Sequence, residues 1–163
     1  GTGKTSLAER YIVGSAYGEV FVYDHQSEIF DRLGVQPFYR LADVFAETER
    51  RVKCYDPTYE FPGRFAEGFD TFAGALFQKV RNRKTRWETL LVCDEVQQMS
   101  PLLNPSEGLL QCLQTGRRFG LDSFTMSQQP NRLSSQLREQ FTEVYFTQLI
   151  DDNSLKFSRE FSI

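Results

Sequence analysis

The run Gly1-Thr2-Gly3-Lys4-Thr5-Ser6 combines glycines, one amine and adjacent hydroxyls; far along the chain, the apolar run Thr89-Leu90-Leu91-Val92-Cys93 ends in the acids Asp94-Glu95. Glycines let backbone N–H groups turn inward and approach anionic oxygens, because no Cβ stands in the way. Lys4 has the reach of a point charge for the β- and γ-phosphates of a polyphosphate, and the Thr5 hydroxyl is the donor type that sits on Mg²⁺. A helix beginning at Lys4 would aim its positive end at the same phosphates. The two acids supply what is missing. Asp94 can hold magnesium through its water shell, and Glu95 can orient and polarise an attacking water. The chemistry implied is hydrolysis of a phosphate bond in ATP with Mg²⁺, with Gly1 to Ser6 as the nucleotide-binding loop. The full loop pattern is G-x-x-x-x-G-K-[ST]. Its leading glycine would precede residue 1, so the chain is expected to be an N-terminally truncated piece, lacking the first strand and the start of the loop.

An apolar run such as Leu90 to Cys93 fits a strand covered on both faces by helices. Ligands of open α/β sheets sit beyond the carboxyl ends of the strands, where Asp94 and Glu95 would emerge. The next strand, 121–127, leads into Gln128-Gln129-Pro130. Gln128 is either a donor to the γ-phosphate or its water, or a loop residue before a proline turn. Between these strands, Leu109, Leu110 and Leu113 recur at helical spacing, and Gly116 or Gly120 would stop the helix. Arg117 and Arg118 at its end either complement the helix terminus or reach a neighbouring subunit's nucleotide as an arginine finger.

The remaining elements alternate. Helix 4–14, strand 19–24, helix 26–33, a short strand 38–40, helix 42–49 and strand 51–55 come first. Helix 66–83, strand 89–94, a Pro-rich loop 100–106, helix 106–116, strand 121–127, helix 133–139 and strand 142–150 follow. Phe69, Phe72, Ala73, Leu76, Phe77 and Val80 form one helical stripe, read as core packing. Asp56 to Phe65 holds prolines, a glycine and aromatics, and reads as an anchored loop. Such alternation implies an α/β fold with a mostly parallel sheet flanked by helices. The 163 residues suffice for a single P-loop ATPase domain spanning 1–163.

These blocks resemble the FtsK–HerA superfamily of DNA-pumping ATPases. The resemblance rests on Gly1 to Thr5, on Val20-Phe21-Val22-Tyr23-Asp24-His25 with Glu28, and on Leu91 to Glu95. Its most specific part is Gly116-Arg117-Arg118-Phe119-Gly120, then a strand, then Ser127-Gln128-Gln129-Pro130. Within that group the chain is most similar to viral genome-packaging ATPases. Asp94-Glu95-Val96-Gln97 is also similar to the D-E-A-Q of Zot-like phage assembly ATPases. Ser127 stands where that family usually has threonine, and Gln129 where it usually has arginine. The resemblance implies a P-loop NTPase of the additional-strand (RecA-like) type, working as a homo-oligomeric ring, often a hexamer, with DNA through its centre. It further implies capsid or membrane-vertex proteins as partners, and a place in the host cytoplasm or the virion.

Composition bounds the alternatives. A net charge of −3 excludes a generally basic binding protein, but not a ring with a few basic residues in its pore. Arg81 to Arg86 is the local basic string, read either as a solvated loop or as a DNA contact. Three scattered cysteines show no metal spacing and fit a reducing compartment. No signal peptide is visible, and no apolar run reaches membrane-spanning length. The loop Gln97 to Asn104 follows the acids directly but lacks a basic tip. His25 reads as a packed or surface histidine. A nucleotide-binding scaffold that uses ATP only to close an oligomer is a third possibility. A GTPase is disfavoured, since no N-K-x-D occurs.

Overall fold

Residues 3–84 and 87–143 are described by the computed structural model of the chain. Four parallel strands form its sheet: β1 (Glu19–Tyr23), β2 (Val52–Tyr55), β3 (Thr89–Cys93) and β4 (Leu121–Thr125), in the spatial order β2-β1-β3-β4. Registers are continuous, with Val22 opposite both Cys54 and Val92, and Val92 opposite Phe124. Parallel strands need crossovers, and helices supply them: α2 (Glu28–Leu33) and α3 (Leu41–Ala46) between β1 and β2, α4 (Phe65–Asn82) between β2 and β3, and α5 (Val96–Met99) and α6 (Glu107–Gln114) between β3 and β4, while α1 (Lys4–Gly14) precedes β1 and α7 (Ser135–Arg138) follows β4.

Strand side chains alternate between two cores. Val20, Val22, Leu90 and Val92 pack with Ala8, Ile12, Ile29 and Phe30 of α1 and α2. Phe21, Tyr23, Leu91 and Cys93 face the other way, onto α4 and α6. All six residues of the expected α4 stripe are buried there. Each fully buried Phe or Leu contributes on the order of 1.5–3 kcal/mol. The second core is aromatic beneath the carboxyl ends of β1 and β2. Tyr55 stacks on Phe72 at 5.5 Å and Tyr23 meets Phe69 edge-on at 5.1 Å. Their hydroxyls are satisfied, Tyr23 donating to Phe65 O at 2.6 Å and Tyr55 to Glu60 Oε1 at 2.9 Å.

Where α4 and α6 cross, a Cβ on Gly108 would lie 2.6 Å from Asp70 O and from Gly74 N. Only glycine permits that approach. Asp70 ties the crossing, accepting from Ser106 Oγ at 2.7 Å and Gly108 N at 2.9 Å.

Several expected boundaries differ. The strand expected at 38–40 is a single parallel bridge, Phe38 to Tyr55, cut short because α3 begins at Leu41. α3 ends at Ala46 rather than 49, because the Glu47 carboxylate captures the N–H groups of Glu49 (2.8 Å) and Arg50 (3.0 Å), competing with the helix. α2 starts at Glu28 instead of 26, since Asp24 turns the intervening residues around its carboxylate. α6 stops at Gln114, and Gly116–Phe119 tightens into a 3₁₀ turn. β4 ends at Thr125, and α5 occupies the start of what read as a loop. Of the strand expected over 142–150, residues 142 and 143 are not in a strand, and 144–150 lie outside the described residues. Among the described residues, no helix is long and apolar enough to cross a membrane.

Candidate nucleotide site

The carboxyl ends of β1, β3 and β4 lie side by side, and each carries polar residues. Asp24 follows β1, Asp94 and Glu95 follow β3, and Ser127 to Gln129 follow β4. The amino end of α1 meets them. Gly3 there has φ +84°, a left-handed conformation open to glycine. The N-cap, Gly3, has no side chain to cap this helix end, and no acid lies in the first turn. Its first N–H groups therefore lack intrahelical partners and suit anionic oxygens.

Lys4 and Glu95, 91 positions apart, meet here: Lys4 Nζ donates to Glu95 Oε1 at 2.6 Å. The same ammonium lies 3.7 Å from Asp94 Oδ1. Both acids are buried, with side chains only 4% exposed, so the lysine is their compensating charge. Burial pushes the Asp94 carboxyl up to about 6, with Lys4 pulling it down and the Glu95 charge pushing it up. Burial also pushes Glu95 up, but hydrogen bonds from Lys4, Gln97 and Gln128 outweigh it and hold Glu95 below the usual carboxylate range. Two adjacent acids thus differ in basicity through their partners.

Glu95 itself adopts φ +50°, ψ +47°. That conformation costs a residue with a Cβ roughly 1–2 kcal/mol. Its neighbours enforce it. Glu95 N donates to Asp94 Oδ1 at 2.8 Å, and Val96 N donates to Met126 O at 2.8 Å, so the chain turns sharply off β3 and the acid swings toward Lys4.

Of the residues singled out in the sequence, Lys4, Asp94, Glu95 and Gln128 come together. Gln128 reaches Glu95 by its side chain. Thr5 Oγ1 donates to Glu28 Oε2 at 3.2 Å, and Ser6 lies in the first turn of α1. Gly1 and Thr2 lie outside the described residues. Arg117 and Arg118 do not join the group. They sit exposed in the 3₁₀ turn before β4, at the amino end of the sheet, a strand length or roughly 17 Å away. Arg117 Nε lies 3.9 Å from Asp122 Oδ1, and its Nη2 lies 3.5 Å from Thr142 Oγ1. In the basic string, Arg83 is a clasp, donating to Thr89 Oγ1 and Phe119 O at 2.8 Å each and lying over the Trp87 ring.

Sequence reading missed four contributors. Asp24 is fully buried and caps α2, accepting from Ile29 N at 2.7 Å and Phe30 N at 3.3 Å. Gln97 donates to Glu95 Oε2 and accepts from Ser127 Oγ at 2.6 Å. Arg132 lines a polar cavity of about 380 Å³ with Glu95, Gln97, Gln128 and Gln129. Glu28 accepts from Thr5. Signals existed for Gln97, two residues past the acid on the same short turn, and for Asp24 and Glu28, which lie in one block of the resemblance, but not for Arg132. His25 packs on the Phe65 ring at 5.0 Å, and burial lowers its pKa against the pull of Asp24 and Glu95.

The donors fit magnesium. Thr5 and Asp94 offer hard oxygens, and among the described residues no group of three or more His, Cys, Asp or Glu is placed to hold a metal alone. Mg²⁺ typically arrives with phosphate and water oxygens and needs only one or two protein donors.

No protein-family model and no curated protein matches the sequence. A solved structure described as "ATPase" superposes with a TM-score of 0.46 at 14% identity, covering 76% of this chain and 45% of its own. The chain thus spans less than half the length of that protein. At that distance the likeness carries nothing about individual residues.

Proposed function

We propose that this chain is an ATP-hydrolysing P-loop domain of the additional-strand (RecA-like) type that drives DNA translocation, in the manner of viral genome-packaging motors. The observation that carries the ATPase reading is the convergence of Lys4 with Asp94 and Glu95 at the uncapped end of α1. β4 beside β3, with Gln128 beyond its end, supports the additional-strand type. DNA as the partner rests on the Gly116–Gly120 and Ser127–Pro130 resemblance.

In this reading Lys4 exchanges Glu95 for the phosphates when ATP enters. Glu95, left as a carboxylate, accepts the proton of the attacking water. Gln128 donates to the γ-phosphate oxygens or the water. Thr5 and Asp94 would hold Mg²⁺, which would supply neutralisation of the phosphate charge. Arg117 and Arg118 lie too far to serve their own site, and their exposure suits service to the next subunit of a homo-oligomeric ring.

The test is ATP hydrolysis with and without double-stranded DNA at matched low salt, since phosphate contacts weaken steeply with salt. Severalfold stimulation by DNA is expected. Turnover indifferent to DNA would replace the translocase with a Zot-like assembly ATPase acting on proteins. Binding without turnover would leave a nucleotide-dependent scaffold.

A further inference from the structure

The Glu95 carboxylate is gripped from both sides. One oxygen takes Lys4 Nζ at 2.6 Å, and the other takes the side-chain amide of Gln97. Gln97 Oε1 in turn accepts from Ser127 Oγ at 2.6 Å, and Ser127 Oγ accepts from the backbone N–H of Gln129 at 3.1 Å. Donor and acceptor chemistry fixes the direction of the whole chain. A carboxylate only accepts, so the Gln97 NH₂ faces it and the Gln97 carbonyl faces the hydroxyl. A backbone N–H only donates, so the Ser127 proton goes to Gln97. Every link has one possible polarity.

Gln97 is buried, at 8% exposure, so water does not readily replace a lost partner. Any shift of Glu95 toward a substrate water must therefore drag Gln97 or leave its amide unsatisfied. A shift of the loop after β4 must do the same from the other end. That loop carries Gln128, Gln129 and Arg132, which line the cavity shared with Glu95. A group entering the cavity meets both ends of the relay.

We propose that Gln97 is a positioning residue that holds the Glu95 carboxylate and couples its placement to the loop 127–132. Gln97 lines the same cavity, but both of its side-chain polar atoms are engaged, one by Glu95 and one by Ser127, so it acts through Glu95. This rests on the reading of Glu95 as the group that activates water, but the coupling exists in the nucleotide-free protein and is measurable without turnover.

The experiment uses ¹⁵N-labelled, nucleotide-free protein and Glu95→Ala as the perturbation, read at the backbone amide of Gln129. With Gln97 present, that amide resonance shifts. In a Gln97→Met background, which keeps side-chain length and removes both polar links, the same perturbation moves it markedly less, the remainder being what Gln128 passes on through its own contact with Glu95. Ser127→Ala breaks the relay from the far end and covers the case in which Gln97→Met does not fold. A purely structural role does not produce this dependence. An equal Gln129 response with and without Gln97, or no response in either, overturns the proposal. In turnover, Gln97→Met and Ser127→Ala each lower kcat by about tenfold, the worth of one hydrogen bond to a charged group, while KM for ATP stays within about twofold. The double variant loses no more than the worse single one. Absent hydrolysis in the native protein with the Gln129 coupling intact removes the ATPase reading and leaves the relay standing.

Discussion

Glu95→Gln is expected to bind ATP and to hydrolyse it about 10²- to 10⁴-fold more slowly, the usual range for removal of a positioned general base. The substitution keeps size and removes charge. A glutamine oxygen can still accept from Gln97, but the amide no longer holds Lys4 at 2.6 Å as a carboxylate does. Lys4 is then released to phosphate with only Asp94, at 3.7 Å, still competing, so ATP affinity should be unchanged or higher. Burst and steady-state kinetics with equilibrium binding on the same sample separate the two effects. Hydrolysis at the native rate would remove Glu95 from the chemistry.

Asp94→Asn is expected to stabilise the fold while abolishing turnover. Burial drives the Asp94 carboxyl to about 6, against an ordinary value of 3.8. An acid whose pKa is raised on folding binds more protons in the folded state between those values. Folding stability attributable to it is therefore highest below the lower value, falls as pH rises between them, and stays low above the upper. At about 1.4 kcal/mol per pH step, the buried charge costs on the order of 3 kcal/mol at pH 8. Asparagine keeps the oxygen that accepts from Glu95 N and removes that cost. Urea unfolding should show Asp94→Asn more stable than the native chain at pH 8 and nearly equal to it at pH 4. Equal stability at both pH values would mean that Lys4 compensates Asp94 fully. Such a gain on removing a functional charge is the usual trade between stability and activity.

Much of this site was legible in the sequence because its parts carry their own chemistry. Gly3-Lys4-Thr5 before a helix, and Asp94-Glu95 after an apolar run, need no tertiary knowledge to be read. The alternating elements gave the parallel sheet, and the α4 periodicity gave one face of its core. What stayed hidden depends on geometry between segments. Glu95 in a left-handed backbone is invisible, since no glycine or asparagine marks the turn. Asp24 stood in the sequence only as part of the Val20–Glu28 resemblance, and its role as the carboxylate that takes three backbone N–H groups of the α2 entry was not legible there. Gln97 and Ser127, 30 positions apart, become partners only when α5 folds back on the end of β4. Gln114 ends α6 two residues early because Gly116–Phe119 is drawn into a turn that seats Gly120 against the Trp87 backbone.

The most direct test of the central claim is calorimetric titration of MgATP into the native protein and into Lys4→Ala. The geometry predicts saturable binding by the native chain and a loss of at least about tenfold in affinity without the lysine, the scale of a lost charge-assisted contact. Equal affinity in both would mean that Lys4, Asp94 and Glu95 form a buried ion cluster that holds the sheet end together and no nucleotide site.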